Sequence, residues 1–161
     1  MADEQEIEAR FWKELKASPF VMLGLQGDRD GHTQPMTAQF DGEGGPLYFF
    51  TTQDNGLVKG LERTSQRAIA TFTAKGHDLF ASVHGALNED KDRGTIDRLW
   101  NAHVEAWYEG GRNDPRICLL RLDTEKAHLW RGGNSIGAMI TRLFGRDPKE
   151  AYQGKTAEVA L

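Results

Sequence analysis

Apolar residues recur at every fourth position between Glu4 and Ala17, where Ile7, Phe11 and Leu15 are separated mainly by Glu and Lys. That period predicts an amphipathic helix with Asp3 as its N-cap. Ser18-Pro19 ends it, because proline disfavours helical geometry in the residue before it. The pattern then changes to short apolar runs of strand length. Phe20 to Gln26 and Gln34 to Phe40 flank the turn-forming segment Gly27-Asp28-Arg29-Asp30-Gly31 and predict a hairpin. Asp41 to Pro46 is a second Gly-rich turn and leads into the β-forming run Leu47 to Thr52. Asn55-Gly56 breaks that run, and Leu57, Val58 and Leu61 suggest a short helix crossing to the next strand. Arg67 to Thr73 and Leu79 to Leu87 read as strands joined by the loop Lys75-Gly76-His77-Asp78.

A longer helix is expected from Asp90 to Tyr108, where Ile96, Leu99, Trp100, His103, Val104 and Trp107 form one helical stripe. Gly110 to Pro115 stops it. Two strands follow, Ile117 to Leu122 and Ala127 to Trp130. Gly132-Gly133 then leads to Asn134 or Ser135 as the cap of a third helix over Ile136 to Phe144. The tail from Gly145 is polar, with Ala157 to Leu161 able to add a last strand. Short turns between successive strands imply a mostly antiparallel sheet. Such a sheet protects its edges by curling into a barrel.

Composition narrows the class. The chain has 161 residues, 39% hydrophobic and 27% charged, which suits one domain with its own core. Its 18 glycines exceed the roughly 11 expected at ~7% usage, as a turn-rich β fold would require. A net charge of −4 argues against general nucleic-acid binding, which depends on a basic face that neutralises phosphates. No apolar stretch approaches the ~18–20 residues of a membrane helix. Met1 to Lys16 is acidic and amphipathic, without the basic and apolar regions of a signal peptide. Together with a single cysteine, Cys118, these features lead to the expectation of a cytoplasmic protein with no membrane or nucleic-acid partner. Cys118 lies inside Ile117-Cys118-Leu119-Leu120, where a buried, inert thiol is expected.

Familiar catalytic patterns are missing. There is no CxxC, HExxH, P-loop, GxGxxG after a strand or GxSxG elbow, and the five histidines are scattered. His84 and His103 read as structural residues, and no metal site is expected. One region concentrates binding groups: Gln34-Pro35-Met36-Thr37, then Phe50-Thr51-Thr52, then Asn55 and Lys59. Hydroxyls, backbone amides at a turn and a lysine suit an anion, typically a phosphate, beside an aromatic wall. A strand followed by a helix cap would account for the same residues.

The run from Phe20 to Trp130 resembles the general stress proteins of the pyridoxamine 5′-phosphate oxidase-like superfamily, the FMN-binding split β-barrels. The hairpin into QPMTAQ, the FFTT strand and the SVHGAL strand match. The combination of Leu99-Trp100, Ala106-Trp107-Tyr108, Gly111, Asp114-Pro115, Leu119-Leu120-Arg121 and Trp130 is the most specific part. The resemblance implies a mainly β (α+β) fold, an antiparallel Greek-key split β-barrel with flanking helices spanning 1–161 as a single domain. It implies a homodimer binding FMN, with FAD as an option, at the interface, and oxidoreductase chemistry on an unspecified substrate. In such barrels the ring lies along the strand that here holds Pro35, Met36 and Thr37. The phosphate sits at Phe50, Thr51 and Thr52, with Asn55 nearby. Trp107 and Trp130 either pack in the core or reach the cofactor of the other subunit.

Two positions depart from the family pattern. Gln34 stands where an Arg is common, and Leu57 where a Lys is common; both would be cationic phosphate partners. Lys59 either substitutes or is solvated. The Arg-x-His substrate motif of the oxidases is replaced by Asn134-Ser135-Ile136-Gly137, so pyridoxamine phosphate oxidation is not expected. The alternative is a barrel that has lost or weakened flavin binding and serves as a non-catalytic binding or interaction module.

Overall fold

The computed structural model describes residues 2–27, 31–132 and 156–161. The elements run α1 (Ala2–Ala17), β1 (Phe20–Leu25), β2 (Gln34–Thr37), β3 (Leu47–Thr52), α2 (Gly56–Leu61), β4 (Gln66–Thr73), β5 (Leu79–Asp90), α3 (Arg93–Leu99), α4 (Ala102–Glu105), β6 (Ile117–Arg131) and β7 (Thr156–Ala160). The strands form one sheet in the order β2-β1-β4-β5-β6-β3, with β7 beside β6. Every pair is antiparallel. The expected mainly β antiparallel fold is present, but the sheet does not close. Its two ends, β2 and β3, meet at one isolated bridge between Gln39 and Tyr48.

Alternation explains the core. Val21 and Leu23 in β1, Ala68, Ala70 and Phe72 in β4, and Leu79, Ala81 and Val83 in β5 all turn inward and are buried. One end of this interior is covered by α1, which contributes Ile7, Phe11, Trp12 and Leu15. Ion pairs from Arg10 to Asp78 and from Arg131 to Glu6 hold that helix in place. A second small cluster of Tyr48, Leu99 and Leu119 lies under α3. No helix among the described residues is long and apolar enough to cross a membrane.

Several elements differ from the sequence expectation. Asp3 lies inside the first turn of α1 and is not its cap. There its charge still favours the helix dipole. The strand expected over Gln34 to Phe40 stops at Thr37. The two strands expected after Pro115 are one, β6, fifteen residues long. The helix expected over Asp90 to Tyr108 is broken in two. β5 continues to Asp90, and Asp92 caps α3 by accepting from the Gly94 amide. Trp100 is extended, and the Asn101 side chain accepts from the Val104 amide to start α4. Asparagine competes with helical hydrogen bonding in this way, so the apolar stripe is cut at its centre. The third helix expected over Ile136 to Phe144, with the turn residue Gly133, lies outside the described residues.

The β5–β6 ladder contains a bulge between His84 and Gly85. A Cβ at Gly85 would lie 2.1 Å from the Asp123 carbonyl oxygen, so only glycine fits this approach. Gly85→Ala should therefore destabilise the protein by at least about 2 kcal/mol and lower its melting temperature by several degrees in a thermal unfolding assay. A melting temperature equal to wild type would show that the bulge relaxes freely.

Candidate functional site

The split between β2 and β3 forms the site. Gln39 and Tyr48 exchange two backbone hydrogen bonds of 2.7 and 2.8 Å, which pins one end of the slot. At the other end the Asn55 Nδ2 donates to Gln34 Oε1 at 2.9 Å. Between these pins no ladder joins the two strands. The Ala38 amide donates to the Pro19 carbonyl and so faces β1. By strand alternation the backbone groups of Pro35 and Thr37 face the other way, into the slot. Proline suits that edge because it has no amide to leave unpaired. By the same parity the Phe50 backbone faces the slot from β3.

Side chains turn the slot into a cleft of about 490 Å³. Pro35, Met36, Thr37, Phe50 and Trp107, named from the sequence, are gathered on its walls, together with Phe20, Gln39, His103, Val104 and Tyr108. Trp107 is 83% exposed and Phe20 is 62% exposed. The expected helical stripe would have buried Trp107; the break at Asn101 places it on the rim instead. Tyr108 donates its hydroxyl to the Thr51 carbonyl at 2.7 Å, fastening the segment after α4 to β3. Burial pushes its phenol pKa up to about 12, so it stays a donor at neutral pH. Trp100 takes the packing role, edge-on to Phe50 at 5.8 Å and beside Tyr108.

The remaining predicted residues lie around the Gln34 end of the cleft or elsewhere. Asn55 caps α2, its Oδ1 accepting from the Leu57 amide at 2.8 Å. Thr51 is buried at the end of β3. Thr52 donates to the Asp54 carboxylate, a bond that holds the Asp54 pKa below its usual value. Leu57 is turned into the core, 4% exposed. Lys59 lines a separate polar cleft of about 900 Å³ with Arg63 and Lys91. Trp130 does not line the first cleft; it stacks on His128 at 6.0 Å on the outer side of the sheet. His84 has Gln26 and Ser82 as partners, each at 3.3 Å. His103, read as a structural histidine on a buried stripe, lies on the cleft wall. Cys118 is buried, and burial pushes its thiol up to about 12, which leaves it protonated. No cluster of three or more His, Cys, Asp or Glu able to hold a metal occurs among the described residues.

Sequence reasoning missed Phe20, Gln39, His103 and Tyr108. The alternation in Phe20-Val21-Met22-Leu23 carried a signal for Phe20, since one of the two apolar sets must face outward. His103 and Tyr108 carried none, because their place depends on where the helix breaks.

A cavity of this size, mostly apolar with a few convergent backbone groups, has the character of a small-molecule site. A planar heteroaromatic ring fits it well. Apolar side chains can cover its faces, and the unpaired strand edges can meet its polar rim. The Gln34 end offers hydroxyl and amide groups from Thr52, Asn55 and Gln34.

Comparison with known proteins agrees with this architecture. A solved protein from Xanthomonas campestris pv. campestris, described as a general stress family protein, is 54% identical, with a TM-score of 0.78 over 84% of this chain and 93% of that one. A general stress FMN/FAD binding protein from Xanthomonas citri is 52% identical, with a TM-score of 0.76 over 81% of this chain and 92% of its own. Protein bli-3 of Neurospora crassa is 25% identical over 125 residues, 71% of this chain; the chain spans 59% of the length of that curated relative. The model of the family described as "Pyridoxamine 5'-phosphate oxidase like" matches residues 6–151. With nearly the whole chain matched and the split barrel shared, the protein belongs to the pyridoxamine 5′-phosphate oxidase-like family.

Proposed function

We propose that the cleft between β2 and β3 binds a flavin, FMN in the first place, and that the protein works as a flavin-dependent oxidoreductase of the general stress type. The observation that carries this reading is the split itself. It is a slot with unpaired backbone at Thr37 and Phe50, walled by Phe20, Met36 and Trp107. The name of the Xanthomonas citri relative, an FMN/FAD binding protein, supports the same ligand class. When bound, a flavin supplies electron or hydride transfer, so the chain need only orient and enclose it. Pro35, Met36 and Thr37 hold the ring along β2. Thr51 and Thr52 receive its polar tail, with Asn55 fixing the turn beyond them.

The site reads as incomplete in one chain. Trp107 and Phe20 stand open on its rim, and Met22 and Phe80 are also exposed. Apolar groups gathered in this way mark an interaction surface. A second copy of the chain covering that rim accounts for them, with Trp107 closing over the ring.

The second reading, a barrel without a working flavin site, is favoured by Leu57. Its side chain belongs to the core, so it can neither serve the phosphate nor be exchanged for lysine without cost.

The purified protein should show a flavin absorption spectrum, or quench the fluorescence of FMN added at tens of micromolar. No uptake, together with no flavin released by denaturant, would establish the second reading. Thr51→Val should weaken flavin binding about two- to tenfold, the loss of one neutral hydrogen bond, whereas Cys118→Ala should leave it near wild type. Equal effects of the two would misplace the tail. Sedimentation should show a dimer, and Trp107→Ala should lower flavin affinity in that dimer; a monomer with full affinity would remove the second copy from the site.

A further inference from the structure

The cleft meets the two ends of a flavin on unequal terms, and the inequality lies in named residues. At the Gln34 end the Asn55 Oδ1 already accepts from the Leu57 amide, and its Nδ2 donates to Gln34. α2 is six residues long and its first turn is occupied by that cap. Leu57 is in the core. Thr52 donates to the Asp54 carboxylate, which lowers the Asp54 pKa further below neutrality. Two cations stand near Asp54, Lys59 and Arg116, and both favour its charge. Arg116 is already committed to Asp114, through Nε at 3.1 Å and Nη2 at 2.8 Å. Thus, among the described residues, the two cations that act on Asp54 meet two carboxylates, Asp54 and Asp114. A phosphate monoester brings about −1.5 to −2 charges at neutral pH. Placed here it would face the Asp54 carboxylate and have to compete with it for Lys59.

We propose that this site recognises a flavin by its ring and ribityl chain and that the described residues of the chain give the terminal phosphate no cationic clamp, with Gln34, Asp54 and Leu57 setting that specificity. This rests on the flavin reading above and goes further, because it assigns the class of flavin. Riboflavin, FMN and FAD share the ring and ribityl chain that the site would recognise, and the phosphate adds only what neutral hydroxyls and amides provide. A charge-assisted hydrogen bond is worth ~1.5–3 kcal/mol, so a clamp of two would favour FMN over riboflavin by about a hundredfold or more. Without one the preference shrinks to that of neutral hydrogen bonds.

The test is a fluorescence or calorimetric titration of the full chain with riboflavin, FMN and FAD at neutral pH and physiological salt. The three dissociation constants should agree within about tenfold. The exposed substitution Asp54→Asn should raise the ratio of FMN to riboflavin affinity about three- to tenfold by removing the like charge, and Gln34→Arg should raise it further by supplying the missing cation. FMN binding more than tenfold tighter than riboflavin would overturn the proposal while leaving the flavin reading intact. A ratio unmoved by both substitutions, in variants that melt like the wild type, would also overturn it. Failure of all three flavins to bind would overturn the flavin reading and this proposal together.

Discussion

The structure depends above all on the pairing of β5 with β6. The two strands run together from Leu79–Arg131 to Asp90–Leu119. The other edge of β6 is shared: its first half pairs with β3 and its second half with β7. A single long strand thus assembles both sides of the fold. It fixes β3 far from β2 in the sheet order, although the two are neighbours in sequence. It also carries β7, which packs with β6 at the end covered by α1. The bulge at Gly85 permits this length, since a twisted strand of fifteen residues must bend to stay wrapped around one core.

The cleft follows from that arrangement. Because β3 is held by β6, the sheet curls until β2 and β3 face each other, yet only Gln39 and Tyr48 pair. Backbone groups along the remaining edges are left for something other than a strand. An edge of this kind ordinarily invites aggregation, and proteins cover it. Here the cover on one side is the irregular segment after α3. The Asn101 cap restarts the helix, and the Tyr108 hydroxyl ties the following turn to β3. The break that disrupts a regular helix is what sets His103 and Trp107 beside the slot.

The electrostatics of the cleft are uneven. Its centre is apolar and aromatic, while its Gln34 end holds the Asn55–Gln34 and Asn55–Leu57 hydrogen bonds, with the Thr52–Asp54 bond as a separate pair. Family membership accounts for the split barrel, and the two solved Xanthomonas proteins share its architecture. What a member binds still depends on its own side chains, because ligand selection is a matter of a few charges and hydrogen bonds on a common scaffold. In this chain Gln34 and Asn55 bond to each other, which engages both side chains at that end of the cleft.

Much of the fold was legible in residue order. α1, β1, β3, α2, β4 and β5 were readable because each has a short-range signature: a four-residue period, strand alternation, or a Gly- and Asn-rich break. β6 reads as two strands in the sequence because Asp123-Thr124-Glu125-Lys126 is polar; Glu125 is the extra residue of the bulge, and Asp123, Thr124 and Lys126 stay paired with β5. The helix before it was read as one because its apolar spacing is periodic and the pattern does not reveal that Asn101 turns its side chain back on the chain. The sequence by itself determined an antiparallel, turn-rich β protein and named Pro35, Met36, Thr37, Phe50 and Trp107. Only the tertiary structure decided that these face one slot, that Trp107 is open, that Trp130 stands apart and that Leu57 is core. Each of those outcomes depends on contacts between segments far apart in the chain, and a local pattern holds no record of them.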